Sequence, residues 1–117
     1  MDDIKRIQDA LRDYPESIYQ ATIRTEALRE IWSLTTARYD YEIAKAFLTA
    51  KAVTVKTVGE AERQSIVDSY ETYQTAIVAE SAYRRALADQ MRLENEFTGI
   101  RKQAELLKLT EQHIRAA

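Results

Sequence analysis

Cysteine is absent from this chain, and its 117 residues include one proline, two glycines and one histidine. Without Cys there is no disulfide and no thiolate cage for a metal, a composition that fits a reducing, cytoplasmic interior. An average chain of this length holds roughly eight Gly and six Pro. Tight turns and strand-rich topologies need those residues for special backbone angles, so their scarcity leaves few turns and favours long helices. Long hydrophobic runs are missing too: no window approaches the ~18 consecutive apolar residues of a membrane span. The opening MDDIKRIQD is too charged for a secretory signal.

What is present is enough apolar surface for one folded domain, with 45% hydrophobic and 31% charged residues. The expected fold class is all-α: a long antiparallel, coiled-coil-like helical hairpin with a short N-terminal helix. Asp2 or Asp3 can cap a first helix over about 3–13, on which Ile4, Ile7, Leu11 and Tyr14 recur at spacings of three and four. Pro15 disfavours helical geometry at Tyr14 but suits the first turn of a new helix, which predicts a bend or restart there. A long helix over about 16–54 follows. Its stripe runs through Ala21, Leu28, Trp32, Thr35, Tyr39, Ile43, Ala46, Ala50 and Val53, with Leu34, Tyr41, Leu48 and Val55 as a flanking row at strict sevens.

The β-branched VTVKTVG at 53–59 lowers helix propensity where a connection is needed. Thr57 and Glu60 then have the spacing of a capping box. The next helix, over about 58–115, carries Ile66, Tyr70, Tyr73 and Ile77, then Tyr83, Leu87 and Met91. Phe97 and Ala104 follow, and Leu93, Ile100, Leu107 and Ile114 stand at strict sevens. Thr98-Gly99 is its one weak point, where a kink is more readily expected than a break. A short connection between long helices sets them antiparallel. The apolar stripe shifts along the last helix, and one partner helix cannot cover both its rows. This predicts a homo-oligomer assembled through Leu93, Phe97, Ile100, Leu107 and Ile114, unless the first helix folds back over them.

Catalytic inventory is thin. His113, in the last turn, is the only His, there is no Cys for a nucleophile pair, and no Gly-rich phosphate loop occurs. The carboxylates form no Glu-x-x-His pair of the kind that builds di-metal sites in bundles. No catalytic residue, metal or cofactor is expected, and the reading is of a protein that is not an enzyme. Trp32, Tyr39, Tyr70, Tyr73 and Tyr83 read as packing residues on the stripes, leaving Tyr14, Tyr19 and Tyr41 less constrained.

Charge is segregated. Residues 43–59 hold three bases and no acid, whereas 60–80 hold five acids and one base. Lys45, Lys51 and Lys56 lie near the expected hairpin tip with Arg63 just beyond. Such cations neutralise phosphates, and an oligomer can sum modest contacts of this kind. A second basic set, Arg84, Arg85, Arg92, Arg101, Lys102 and Lys108, is interleaved with acids and reads as ion-pairing.

The order of a short N-terminal helix, LREIWSL early in the long helix, LTAKAVTVKTVG before the turn and YETYQTAIVAESAYRRALADQMRLENEFTGIRKQ after it resembles, over residues 20–108, the UvsY-type recombination mediators of tailed phages. The resemblance implies an oligomeric protein that binds single-stranded DNA and works with a recombinase and a single-strand binding protein in the host cytoplasm. Lys51 and Lys56 match the basic segment of that family's first long helix; the Lys-x-Arg triplet found there is missing, and Glu60 and Glu62 stand close behind. The rival expectation is a coiled-coil interaction protein or assembly chaperone that captures a partner helix and binds no nucleic acid.

Overall fold

The computed structural model describes residues 2–54 and 57–116. Within them the fold is all-α: α1 (Asp2–Thr54), α2 (Val58–Asp68) and α3 (Tyr70–Ala116), with no strand among the described residues. The architecture is the expected antiparallel helical hairpin. Two compact units divide it, one holding the residues up to Thr25 with those from Ala86 onward, the other Glu26–Arg85.

The turns from Asp2 to Asp13, expected as a helix of their own, are continuous with the long helix, and Pro15 lies inside α1. Proline there removes one hydrogen bond and crowds the carbonyl of Leu11, a cost of about 3 kcal/mol. Tertiary contacts of the preceding turns offset it. Ile7 is buried, and the Tyr14 ring lies 6.0 Å from Phe97. Tyr14 Oη also donates to Glu96 Oε2 at 2.9 Å.

At the other end of the hairpin, α2 begins as the sequence suggests. Thr57 is its N-cap, with extended backbone, and Thr57 Oγ1 accepts from the Glu60 N–H at 3.3 Å. The helix expected to run unbroken from 58 is instead interrupted at Ser69, where φ is −101° and ψ is 12°. The interruption is local. Ser69 N–H still donates to Ser65 O and Tyr73 N–H to Ser69 O, each at 3.0 Å, so the four-residue bonding pattern continues through it. Gly99, the expected weak point, is helical and lies within α3.

Both long helices bury a row that repeats every seven residues. On α1 the row is Ile7, Tyr14, Ala21, Leu28, Thr35 and Glu42, alternating with Ile18, Thr25, Trp32, Tyr39 and Ala46, all buried or half-buried. On α3 it is Ala76, Tyr83, Gln90, Phe97 and Ala104, alternating with Thr72, Ala79, Ala86, Leu93 and Ile100, likewise covered. Period seven keeps such a seam facing one partner along its length. The covered row therefore keeps its register while the large apolar residues do not: Ile66, Tyr70, Tyr73 and Ile77 lie off it, and Leu93, Phe97 and Ile100 lie on it. Where the sequence suggests Ile66, Tyr70, Tyr73 and Ile77 as the covered row, the structure covers Ser65, Ser69, Thr72 and Ala76, each one residue earlier.

In the unit around Glu26–Arg85, α1 contributes Trp32 and Tyr39 to the seam. Trp32 stacks on Tyr83 at 5.2 Å, and Tyr39 meets the Tyr73 ring at 5.4 Å, tilted by 55°. Beside these ring contacts most covered positions of α2 and of the start of α3 are small, which suits the interaxial distance of about 8–10 Å at which helices pack. Ala61, Ser65, Ser69, Ala76 and Ala79 are accordingly buried.

The unit formed by the chain up to Thr25 and from Ala86 onward has its own stretch of seam. Ile7, Tyr14, Phe97 and the buried Ala86 belong to it. Arg6 Nη2 lies 3.4 Å from Gln103 Oε1, and Arg92 Nη1 donates to Glu96 Oε1 at 3.0 Å.

Candidate interaction surface

Turning a helix by one residue rotates the side chain by about 100°. Ile66, Tyr70, Tyr73 and Ile77 each follow a seam position on α2 or α3 by one residue, so they form a row beside the seam. On α1, Ile43 and Phe47 follow the seam positions Glu42 and Ala46 in the same way. In an antiparallel pair these two rows lie on one side. A shallow groove of about 400 Å³ lined by Ile43, Ala44, Phe47, Glu62, Ser65 and Ile66 joins them.

This face is apolar and about half exposed. Ile66 is 55% exposed, Tyr70 55%, Tyr73 45% and Ile77 42%. Tyr70 keeps its hydroxyl occupied locally, accepting from Gln74 Nε2 at 3.0 Å. No charged residue interrupts the row between Glu62 and Glu80 on one helix, or between Asp40 and Lys51 on the other. The opposite side differs. It exposes Ile31 and also Leu34, Tyr41 and Leu48 of the flanking row expected to widen the covered face, whose Val55 lies outside the described residues; beside them is a polar depression lined by Thr35, Arg38, Glu71, Thr72 and Thr75.

The residues expected to form an assembly surface lie elsewhere. Phe97 stacks on Tyr14 of the same chain, and Leu93 lines a depression with Gln20, Ala21 and Arg24. Leu107 lines another with Ile4, Ile7 and Leu11, and Ile100 is half-buried on the same seam. Ile114 is 68% exposed. The first stretch of α1, which continues through Pro15, lies beside Leu93, Phe97 and Ile100, whereas Leu107 and Ile114 stay exposed.

The cations expected to bind phosphate are spread around the tip of the hairpin. Lys45 and Lys51 are exposed, and neither makes an ion pair among the described residues. Lys45 precedes its seam neighbour Ala46 and Lys51 follows Ala50, which sets them on opposite sides. Arg63 is exposed, with Nε donating to Gly59 O at 3.3 Å, and exposed Glu60 and Glu62 flank it. Lys56 lies outside the described residues. In the second basic set, Arg84 pairs with Glu80 at 2.8 Å and sits 5.9 Å from the Trp32 ring centre. Arg101 lies 5.8 Å from the Phe97 ring centre.

The tyrosines redistribute as well. Tyr39 and Tyr83 are half-buried as expected, but Tyr70 and Tyr73 are exposed, and Tyr14, read as less constrained, is held by both a ring and a hydrogen bond. The signal for the exposed row is readable in retrospect: a row of small residues, Ser65, Ser69, Thr72 and Ala76, runs one residue ahead of it. Among the described residues no helix is long and apolar enough to cross a membrane. No protein family, curated protein or solved structure matches the chain.

Proposed function

We propose that this chain is a non-enzymatic interaction module, and that the face carrying Ile43, Phe47, Ile66, Tyr70, Tyr73 and Ile77 takes up an amphipathic helix. One observation carries this reading: the hairpin buries its small row and leaves the large apolar row half in water. Water-exposed apolar area costs about 25 cal/mol per Å² relative to burial, so a helix laid along this row gains what the monomer forgoes. A groove between two helices with apolar anchors at spacings of three and four suits helix-in-groove recognition.

The chain lacks Cys, so a single introduced thiol reports cleanly. Ile77→Cys, at the edge of the face, is labelled with an environment-sensitive dye, and a Leu/Lys amphipathic helical peptide is added to submicromolar protein. The expected result is a blue shift at position 77 and none from the same dye on Ser81→Cys, which lies on the outer side of α3. Equal response at the two positions contradicts the reading.

A second reading rests on Lys45 and Lys51, exposed and without an ion-pair partner among the described residues. In it the chain binds single-stranded DNA non-specifically as an oligomeric accessory of phage-type recombination, alongside a recombinase or single-strand binding protein. Affinity then comes from counterion release and falls steeply with salt.

A further inference from the structure

We infer that the helix received by this face belongs to a second copy of the chain, related by a two-fold axis parallel to the helices with the two hairpin tips level. The inference rests on the interaction reading above and names its partner.

Area is the first argument. Given 150–250 Å² for a whole aromatic side chain, each of the four half-exposed residues offers roughly 100 Å². With the partial exposure of Ile43 and Phe47, two copies bury on the order of 1,000 Å² between them, the lower bound for a specific interface. A face of this size on a monomer is near the upper limit of what water tolerates.

Charge decides the arrangement. The contact of Tyr39 with Tyr73, and the groove that joins Phe47 to Ile66, fix which positions stand level across the hairpin. From the tip inward on this side, the level positions are Lys51 with Glu62, Phe47 with Ile66, Ile43 with Tyr70, Asp40 with Tyr73 and Thr36 with Ile77. A two-fold axis parallel to the helices sets α1 of one copy against α2 and α3 of the other at the same level. Lys51 then meets Glu62 of the second copy twice over, Phe47 meets Ile66, and the Asp40 carboxylate meets the Tyr73 hydroxyl. Every adjacent helix pair in the resulting four-helix arrangement is antiparallel. The alternative axis, perpendicular to the helices, lays α3 on α3 about a centre near Tyr70 and brings Glu62 toward Glu80 of the second copy. Two like-charge contacts replace two complementary ones, and like charges across an interface suppress that pairing.

Sedimentation equilibrium of the full chain from 1 to about 100 μM, in moderate salt, tests this. The expected result is a monomer–dimer equilibrium. Lys51→Glu or Glu62→Lys alone weakens it about tenfold, since each loses two exposed pairs and gains two repulsions. The double variant Lys51→Glu/Glu62→Lys restores it, and Tyr70→Glu leaves a monomer of unchanged helicity by circular dichroism. A double variant no tighter than the single ones overturns the arrangement. A wild-type chain that stays monomeric overturns the second copy as occupant: if the labelled Ile77→Cys protein still responds to the helical peptide, the interaction reading survives, and if it does not, both fall.

Discussion

Tyr14 and Glu96 are joined across the hairpin by a 2.9 Å hydrogen bond one residue before the only proline. The bond moves both groups. Hydrogen bonding to Glu96 is the largest influence raising the Tyr14 pKa above its ordinary value. The same bond, then that from Arg92, lowers the Glu96 pKa.

A pH profile follows from those two directions. Glu96 is more acidic folded than unfolded, so its contribution to stability is complete above the ordinary Glu value of about 4.3 and is lost as pH falls through the folded value. Tyr14 is the converse: its neutral phenol is favoured by folding, so its contribution is complete below about pH 10 and is lost as pH rises through the folded value. Urea denaturation across pH checks this. Tyr14→Phe should remove this tyrosine's share of the alkaline limb and part of the Glu96 share of the acid limb, because Arg92 still holds Glu96.

Backbone substitutions test the continuity of the helices. Pro15→Ala should stabilise by about 1–3 kcal/mol, since α1 is helical through this position and regains a bond there. Gly99→Ala should add about 1 kcal/mol, because a Cβ at Gly99 meets nothing within 4 Å. Thermal unfolding measures both; destabilisation by Pro15→Ala would mean that proline shapes a bend the folded state needs.

Much of this fold is written in plain periodicity, and where it is not, a tertiary effect opposes a local one. The seven-residue rows, the Thr57 cap and the antiparallel pairing follow from spacing and loop length. Pro15 reads as a boundary because its local cost is fixed, whereas the contacts of Ile7 and Tyr14 that outweigh it come from residues more than 80 positions away. On α2 and α3 the eye selects Ile66, Tyr70, Tyr73 and Ile77 because they are large. Packing covers Ser65, Ser69, Thr72 and Ala76 instead, small residues that let two helices approach closely. The candidate face is thus the remainder left once the seam is assigned, and no local pattern reveals it alone.

Steric asymmetry between the two rows predicts a reversal of the usual rule for hydrophobic substitution. Ala79→Leu, at a buried seam position, should destabilise by about 1–3 kcal/mol through overpacking. Ile66→Ala, at an exposed one, should change the stability of the dilute monomer by no more than about 0.5 kcal/mol. Chemical denaturation at submicromolar concentration separates these from effects on assembly.

The nucleic-acid reading has its own test. Fluorescence anisotropy of a labelled single-stranded oligonucleotide should show affinity that drops steeply from low to high salt, and Lys51→Glu with Lys56→Glu should abolish it while helicity is kept. Affinity unchanged in the double variant, or insensitive to salt, removes these lysines from any DNA site.

The claim that the large row of α2 and α3 is a contact surface is tested most directly by hydroxyl-radical footprinting of the wild-type chain, first below 1 μM and then near 100 μM. The account predicts strong labelling of Ile66, Tyr70, Tyr73 and Ile77 when dilute and protection of those four when concentrated, with Leu34 and Val78 labelled equally in both. Protection centred on Leu93, Phe97 and Ile100, or labelling at the four positions that does not change with concentration, would contradict it.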